Sequence, residues 1–530
     1  MSRFNTRTAS ASGNSPVTTS GETAATAEGG IGRLREARSE LFLLAVANFV
    51  GQETFYEHGG RRDDRYTQLV RRLAVDDPAW TAALLGWLRR DGGVRTASLV
   101  GAAEFARARL DAGLHGESRQ VVDAVLQRPD EPGELLAYWT SRYGRNLPKP
   151  VKRGIADAVQ RLYDSRALLA YDTESKGYRF GDVLELVHPA PAEDKPWQGD
   201  LFRHAIDRRH GRDHEIPPRL GPVRAHAQLM AVPVEERRAV MLGQGSTRQD
   251  SLFRASKLSW EALAGWLQGP MDAAAWESLI PDMGYTACLR NLRNFDQAGV
   301  SDEVAASVAA RLADPEQVAR SRQFPFRFLA AYQHAPSLRW AHALEQALGC
   351  SLGNVPALPG RTLVLVDRSG SMFGGVSERS KLNRADSAAI FGAAVALRAE
   401  RGDLVQFGTA SHPVAFGRGE SVLRILARFG NLGGTDTAAA VRAHYQGHDR
   451  VLIVTDEQAA ASHHGDPTSQ VPPDIPVYTW NLAGYRVGHG PSGTAGRHTF
   501  GGLTDHAFRL VPLLEAGANA DWESIFGAAA

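Results

Sequence analysis

The sequence predicts a multidomain chain, an all-α array of helix pairs over 31–357 followed by a doubly wound α/β domain over 358–530. Three observations carry this prediction. From 31 to 357, apolar residues recur at helical spacing between Gly, Pro and Asp breaks, and period-2 alternation is nearly absent. Beyond 357, short apolar runs of strand length alternate with helical stretches, the grammar of a parallel sheet covered on both faces. The first of those runs, Thr362-Leu-Val-Leu-Val-Asp367, is apolar from Leu363 to Val366 and ends on an aspartate, as in a strand buried on both sides.

Residues 1–30 are rich in Ser, Thr, Ala and Gly, with Phe4 the only aromatic, so the expectation is a flexible tail too poor in apolar surface to offset its ordering entropy. Helices are expected near 34–50, 66–73, 78–88, 97–110, 118–126 and 133–139. The clearest helical signal is 283–295, where Tyr285, Cys288, Leu289, Leu292 and Phe295 share a face and Arg290, Arg293 and Asn294 lie off it. Further helices follow at 302–312, 326–332 and 338–348. So many helices with short loops imply a solenoid-type stack, although no fixed repeat period is evident. The prolines and glycine of 356–360 read as a linker.

In the second part, strands are expected at 362–367, 404–409, 451–454 and 477–482. The helices between and after them fall at 384–400, 421–429, 437–445 and 505–515, with a long Gly, His and Ser-rich loop before the last. Ligands bind at the carboxyl edge of such a sheet. Asp367, Ser369 and Ser371 lie at that edge after the first strand, Thr435 in a Gly-Gly-Thr turn that opens a helix, and Asp456 after the strand at 451–454. Two carboxylates and three hydroxyls make an oxygen shell suited to a hard divalent cation such as Mg2+, with a position left for water or an acidic group. The simpler alternative is a turn in which Ser369 caps the following helix.

Composition narrows the function. The 530 residues carry a formal charge of +1, without the basic excess of a protein that coats nucleic acid indiscriminately. Any RNA contact is then a local patch. Cys288 and Cys350 are too few for a disulfide framework and lack metal-ligand spacing. No apolar run approaches the ~20 residues needed to span a bilayer, and no signal-peptide pattern opens the chain. A cytoplasmic protein is expected.

The Asp367-x-Ser369-x-Ser371, Thr435 and Asp456 set resembles the metal-ion-dependent adhesion site of von Willebrand factor A domains, and all five positions match. The resemblance implies hydroxyl ligands at Ser369, Ser371 and Thr435, with Asp367 and Asp456 acting directly or through water. Upstream, Met283-Gly-Tyr-Thr286-Ala-Cys-Leu289-Arg290-Asn291-Leu292 and Phe324-Pro-Phe-Arg-Phe-Leu resemble helices of the TROVE module. Lys176-Gly-Tyr178, leading to Asp182-Val-Leu-Glu-Leu-Val-His188-Pro, resembles its Gly-aromatic and Leu-x-x-His segment. A TROVE module followed by an A domain is similar to the Ro ribonucleoprotein family. The likeness implies an all-α, HEAT-like helical-repeat ring joined to a doubly wound (Rossmann-like) A domain, acting as a monomer. It also implies RNA partners, namely Y-like noncoding RNAs on the outside and single-stranded 3′ ends of misfolded RNA in the hole. An exoribonuclease and RNA quality control complete the implied setting.

The resemblance places His188 at the family's RNA-contacting histidine. Around it, Lys149, Lys152, Arg153, Lys176 and Arg179 are candidates for phosphate contact, the first three because they open a helix where free N–H groups favour anions. Asp172 and Glu174 make the surroundings of Lys176 acidic. A second candidate is the run Arg203-His204-Ala-Ile-Asp207-Arg208-Arg209-His210-Gly-Arg212, whose Arg203, Arg208, Arg209 and Arg212 can follow a backbone or stack on unpaired bases. For each basic residue the plainer reading is a solvated helix end. No catalytic residue is assigned, because Ser369 lacks a nucleophile-elbow context and no general base accompanies the metal ligands. The rival function is a protein-interaction module that clasps an acidic ligand through the metal without any RNA role.

Overall fold

The structure, a computed structural model, describes residues 13–47, 54–245, 253, 255, 256, 258–335, 337–377, 380–463, 465–494 and 496–527. The helical part runs from Ala37–Ala47 to Leu338–Ser351. Its clearest predicted element is the helix Tyr285–Ala298, which buries Tyr285, Cys288, Leu289, Asn291, Leu292 and Phe295 and ends on Gly299 at φ 72°. A left-handed residue closes a helix most cheaply as glycine, which has no Cβ to clash. The expected helix at 34–50 begins later, at Ala37, and 48–50 lie outside the described residues.

The α/β domain holds a six-stranded sheet in the order β11-β9-β8-β3-β6-β7. Its strands are β3 (Leu358–Asp367), β6 (Ala399–Phe407), β7 (Ser411–Pro413), β8 (Arg450–Thr455), β9 (Val477–Asn481) and β11 (Arg497–Gly501). β3 pairs in parallel with both β6 and β8, and only β7 runs antiparallel. Alternation along β3 explains its continuous apolar run. Val364 and Val366 face the helix Arg384–Arg398, while Leu363 and Leu365 pack with Val441 and Ile453 on the other side. Leu358 already pairs with Ala399, so the stretch expected as a linker at 356–360 is in part the start of this strand.

Both ends of the helical array rest on the α/β domain. At the first end, Phe42 of the helix Ala37–Ala47, Trp80 and Trp87 of the helix Pro78–Arg90, and Trp522 and Phe526 of the helix Trp522–Phe526 form one aromatic cluster with centroids 5.1–5.9 Å apart. At the other, the helix Pro325–His334 packs on Arg384–Arg398, and Asn354 donates its backbone and side-chain N–H groups to Asp505 at 2.9 and 3.0 Å. The two ends also meet, since a Cβ at Gly93 would lie 3.4 Å from the Phe324 ring. The helices therefore close into a ring.

One expectation is corrected outright. Residues 13–30, assigned to a tail, are built into the α/β domain; 1–12 lie outside the described residues. β1 (Thr19–Ala25) pairs antiparallel with β2 (Ile31–Arg35), and β2 pairs with β10 (Val487–Gly488). The Ser492 hydroxyl donates to the Val17 carbonyl at 2.6 Å, and Ser15 Oγ lies 3.0 Å from His498 Nδ1. Arg35, with a fully buried side chain, pairs with Glu457 at 2.6 Å and donates to Thr499 Oγ1 at 3.2 Å. Composition missed this segment because hydrogen bonds and one buried charge hold it rather than apolar side chains. The same contacts explain β10 and β11, which lie where only a loop was expected. Arg497 enters the sheet by donating to the carbonyls of Val471 and Ile475.

Two stability predictions follow from this docking. Arg35→Met leaves Glu457 buried without its cation and is expected to lower unfolding free energy by about 3–5 kcal/mol in urea titrations. Adding Glu457→Gln should recover part of the loss. Burial, helped by the Arg497 charge, pushes the His498 imidazole down to about 4, against ~6.5 in an unfolded chain. The folded state thus resists protonation, so this contribution is complete above pH ~6.5 and is lost as pH falls toward 4, by at most about 3 kcal/mol. His498→Gln should flatten that part of the stability-against-pH curve.

Candidate metal centre and nucleic-acid surface

β3 ends on Asp367, and the chain turns at once through Ser369 into the short 3-10 helix Gly370–Phe373. Asp367 Oδ1 accepts from the Ser369 N–H at 2.9 Å, and Oδ2 accepts from the Thr455 hydroxyl at 2.6 Å. Ser369 makes no side-chain cap bond; its Oγ lies 3.2 Å from Ser371 Oγ. The capping alternative therefore fails, and the two hydroxyls face one another beside the carboxylate.

Two further loops converge here. In the glycine turn, the Gly370 N–H donates to the Gly433 carbonyl at 2.5 Å and Leu432 N–H to the Arg368 carbonyl at 2.8 Å. Gly433 stands at φ 77°, which glycine adopts without strain. The Thr435 carbonyl accepts from the Ala460 N–H at 2.8 Å, tying this turn to the loop that carries Asp456. Arg368 staples the arrangement from behind, donating to the carbonyls of Gly430 and Ala385, both at 2.7 Å.

Asp367, Ser369, Ser371, Thr435 and Asp456 are thus brought together, each 3% exposed or less. Burial raises the Asp367 carboxyl above its usual range, against the pull of its Ser369 and Thr455 hydrogen bonds. Burial, then the neighbouring Asp367 charge, pushes Asp456 up to about 7. Asp456 Oδ1 accepts from the Gln458 N–H at 3.0 Å, while Oδ2 is buried with no hydrogen-bond partner. Two adjacent desolvated carboxylates, one with a vacant oxygen, and three hydroxyls fit a hard divalent cation. Among the described residues no group of three or more His, Cys, Asp and Glu side chains makes a metal site, which follows from the hydroxyl-rich character of this set.

The sequence-predicted basic residues divide into two groups. Lys176 pairs with Asp130 at 3.2 Å, Arg179 with Asp172 at 2.9 Å and Arg208 with Asp172 at 3.5 Å. Arg209 pairs with Asp182 at 2.8 Å and Arg212 with Asp207 at 3.1 Å. Their charge is largely answered within the chain. His204 is buried with Nδ1 2.7 Å from His214 Nε2, and burial holds its imidazole down to about 4, so it acts as a neutral packing residue. Lys149, Lys152 and Arg153 lie at the start of the helix Lys149–Leu162, and among the described residues no carboxylate pairs with them or with Arg203. His188 is exposed at a helix end, in the left-handed conformation at φ 52°.

A third basic group was not singled out in the sequence. Arg290 and Arg293, one turn apart on Tyr285–Ala298, and Arg327, on the adjacent helix Pro325–His334, are exposed and have no carboxylate partner among the described residues. The Arg327 guanidinium packs over the Phe326 ring, and this partial desolvation, then the like charge of Arg290, lowers its pKa. Such like-charged clustering costs energy that an anionic ligand would relieve. The signal was present in the sequence, since Arg290 and Arg293 sit off the apolar face of the strongest helix.

A helical ring mounted on a von Willebrand factor A-like α/β domain with an oxygen-rich edge site defines the class of protein. Residues 259–340 match the TROVE domain, and that stretch contains Arg290, Arg293 and Arg327. The chain is also similar to the crystal structure of the Deinococcus radiodurans Ro (RSR) protein, with a TM-score of 0.62 and 20% identity over 91% of this chain and 100% of that one. At this identity the likeness is one of fold.

Proposed function

We propose that this chain is the RNA-binding scaffold of a Ro-type ribonucleoprotein rather than an enzyme, and that it holds Y-like RNAs and single-stranded 3′ ends of misfolded RNA. The observation that carries the reading is the unpaired cluster Arg290, Arg293 and Arg327 inside the TROVE-matching stretch. Guanidinium groups suit this role because they meet phosphates bidentately and stack on unpaired bases. Lys149, Lys152, Arg153, Arg203 and His188 extend the basic surface, whereas Lys176, Arg179, Arg208, Arg209 and Arg212 chiefly position it through their ion pairs. The protein would present bound RNA to a partner exoribonuclease in RNA quality control, working as a cytoplasmic monomer. Among the described residues no helix is long and apolar enough to cross a membrane.

In the same reading Asp367, Ser369, Ser371, Thr435 and Asp456 hold a divalent cation, with Mg2+ the natural choice. When bound, the ion neutralises the two buried carboxylates and offers an open position to an acidic group. Asp367 and the backbone N–H of Ser369 orient the first loop, and Gln458 orients Asp456.

Fluorescence anisotropy with an RNA carrying a single-stranded 3′ tail tests the RNA role. Binding should weaken with salt, and the Arg290→Ala, Arg293→Ala, Arg327→Ala triple variant should flatten the slope of log K against log salt by about 2, at roughly 0.7 per lost phosphate contact. Absent or salt-insensitive binding by the unaltered protein would overturn the reading. For the metal role, Mn2+ titration followed by electron paramagnetic resonance should detect one tight ion, lost in Asp456→Ala. RNA affinity should be unchanged in that variant.

A further inference from the structure

The turn between β1 and β2 docks on the loop that carries Asp456. Thr26 Oγ1 donates to the Ala459 carbonyl at 2.6 Å, the Ala27 N–H donates to Gln458 Oε1 at 2.8 Å, and Gly29 bridges to Ala460. The approach is close enough that a Cβ at Gly30 would fall 2.4 Å from the Ala459 carbonyl oxygen. Thr26 closes the turn on itself, its backbone N–H donating to the Gly30 carbonyl at 3.0 Å and its hydroxyl accepting from the Gly30 N–H at 2.9 Å. The residue at the tip of this rigid turn is Glu28.

Glu28 is held toward the metal site. Tyr56, from the segment before the helix Gly59–Asp76, donates its hydroxyl to Glu28 Oε1, and the same phenol feels the Ser371 hydroxyl and the Asp456 charge. Tyr56 therefore holds the Glu28 carboxylate on the side of the proposed metal set. Tyr56 itself is fixed, edge-on to Tyr485 at 5.7 Å. Independently, the buried Asp456 Oδ2 lacks any partner. The set of five supplies two carboxylates, and the Tyr56 hydrogen bond together with the docked turn holds the Glu28 carboxylate beside the Asp456 loop.

Resting on the metal reading above, we propose that Glu28 is the acidic ligand of this cation site, supplied by the chain's own N-terminal turn. Glu28 takes the open position when the ion binds, as the Tyr56 hydroxyl releases it. An external acidic partner must then displace Glu28. The N-terminal strand pair serves as a built-in occupant of the site, and its docking by β2 and Arg35 sets how firmly the site is closed.

The test is Mn2+ binding to the full chain, read as affinity by electron paramagnetic resonance and as bound water by proton relaxation. Glu28→Gln is isosteric at an exposed position and should fold normally. It should weaken Mn2+ binding by about tenfold or more, the usual effect of losing a supporting carboxylate. Its bound Mn2+ should show higher water relaxivity than in the unaltered protein, and 10 mM acetate should lower that relaxivity only in the variant. If the unaltered protein binds Mn2+, Asp456→Ala does not, and Glu28→Gln matches the unaltered protein in affinity and relaxivity, this inference is overturned while the metal site stands. If the unaltered protein binds no Mn2+, the metal reading itself falls and takes the inference with it.

Discussion

The fold depends on the buried ion pair between Arg35 and Glu457, whose side chains are 0% and 1% exposed. Two charges removed from water are tolerated only when their hydrogen-bonding capacity is met. Here Arg35 also donates to Thr499 and the Glu457 carboxylate also accepts from Asn481, so most of that capacity is used, with Arg35 Nε the one buried donor of the pair left without a partner among the described residues. Glu457 stands at φ 63°, an unusual conformation for a side chain of its size, and the residue before it is Asp456. One contact therefore does two things. It forces the N-terminal strand onto the C-terminal domain, and it sets the backbone that aims a metal-site carboxylate.

That tether explains the ring. With β2 bound beside β10, the first helix begins on the surface of the α/β domain, and the last helix hands directly into β3 of the same domain. The intervening helices must leave and return to one base. Arg62, fully buried, reinforces the first anchor by donating to the Ala483 carbonyl, and Arg65 donates to the Gly484 carbonyl at 3.0 Å. Long side chains with several fixed donors suit this work, because one guanidinium can satisfy carbonyls and carboxylates from different elements at once.

Charge is used differently on the two faces of the problem. In the ring several basic residues are absorbed by carboxylates distant in sequence, as in the pairing of Lys176 with Asp130 and of Arg208 with Asp172. A linear reading counts such residues as free, because partners tens of residues apart carry no local signature. Arg290, Arg293 and Arg327 are recognised as a group only when the two helices are seen side by side. At the sheet edge the imbalance is reversed. There two carboxylates are buried beside hydroxyls, and burial raises both above their usual range even with the Arg368 and Arg384 charges nearby.

The sequence by itself determined the alternation of helical array and α/β domain, the helix expected at 283–295, the central strand and the convergence of Asp367, Ser369, Ser371, Thr435 and Asp456 at one sheet edge. Each is encoded by neighbours within a few residues: apolar spacing, a glycine at a turn, an aspartate at a strand end. Tertiary structure alone decided that residues 13–35 form part of the α/β domain, that Arg497-His-Thr-Phe-Gly501 is a sheet strand, and that the Glu28 turn docks on the Asp456 loop. The N-terminal segment lacks a periodic apolar face and is held in part by partners more than 400 residues away in sequence, as with Thr26 and Ala459. Periodicity records what a segment buries against its own surroundings; it does not record which distant carbonyl or carboxylate will meet a buried polar group.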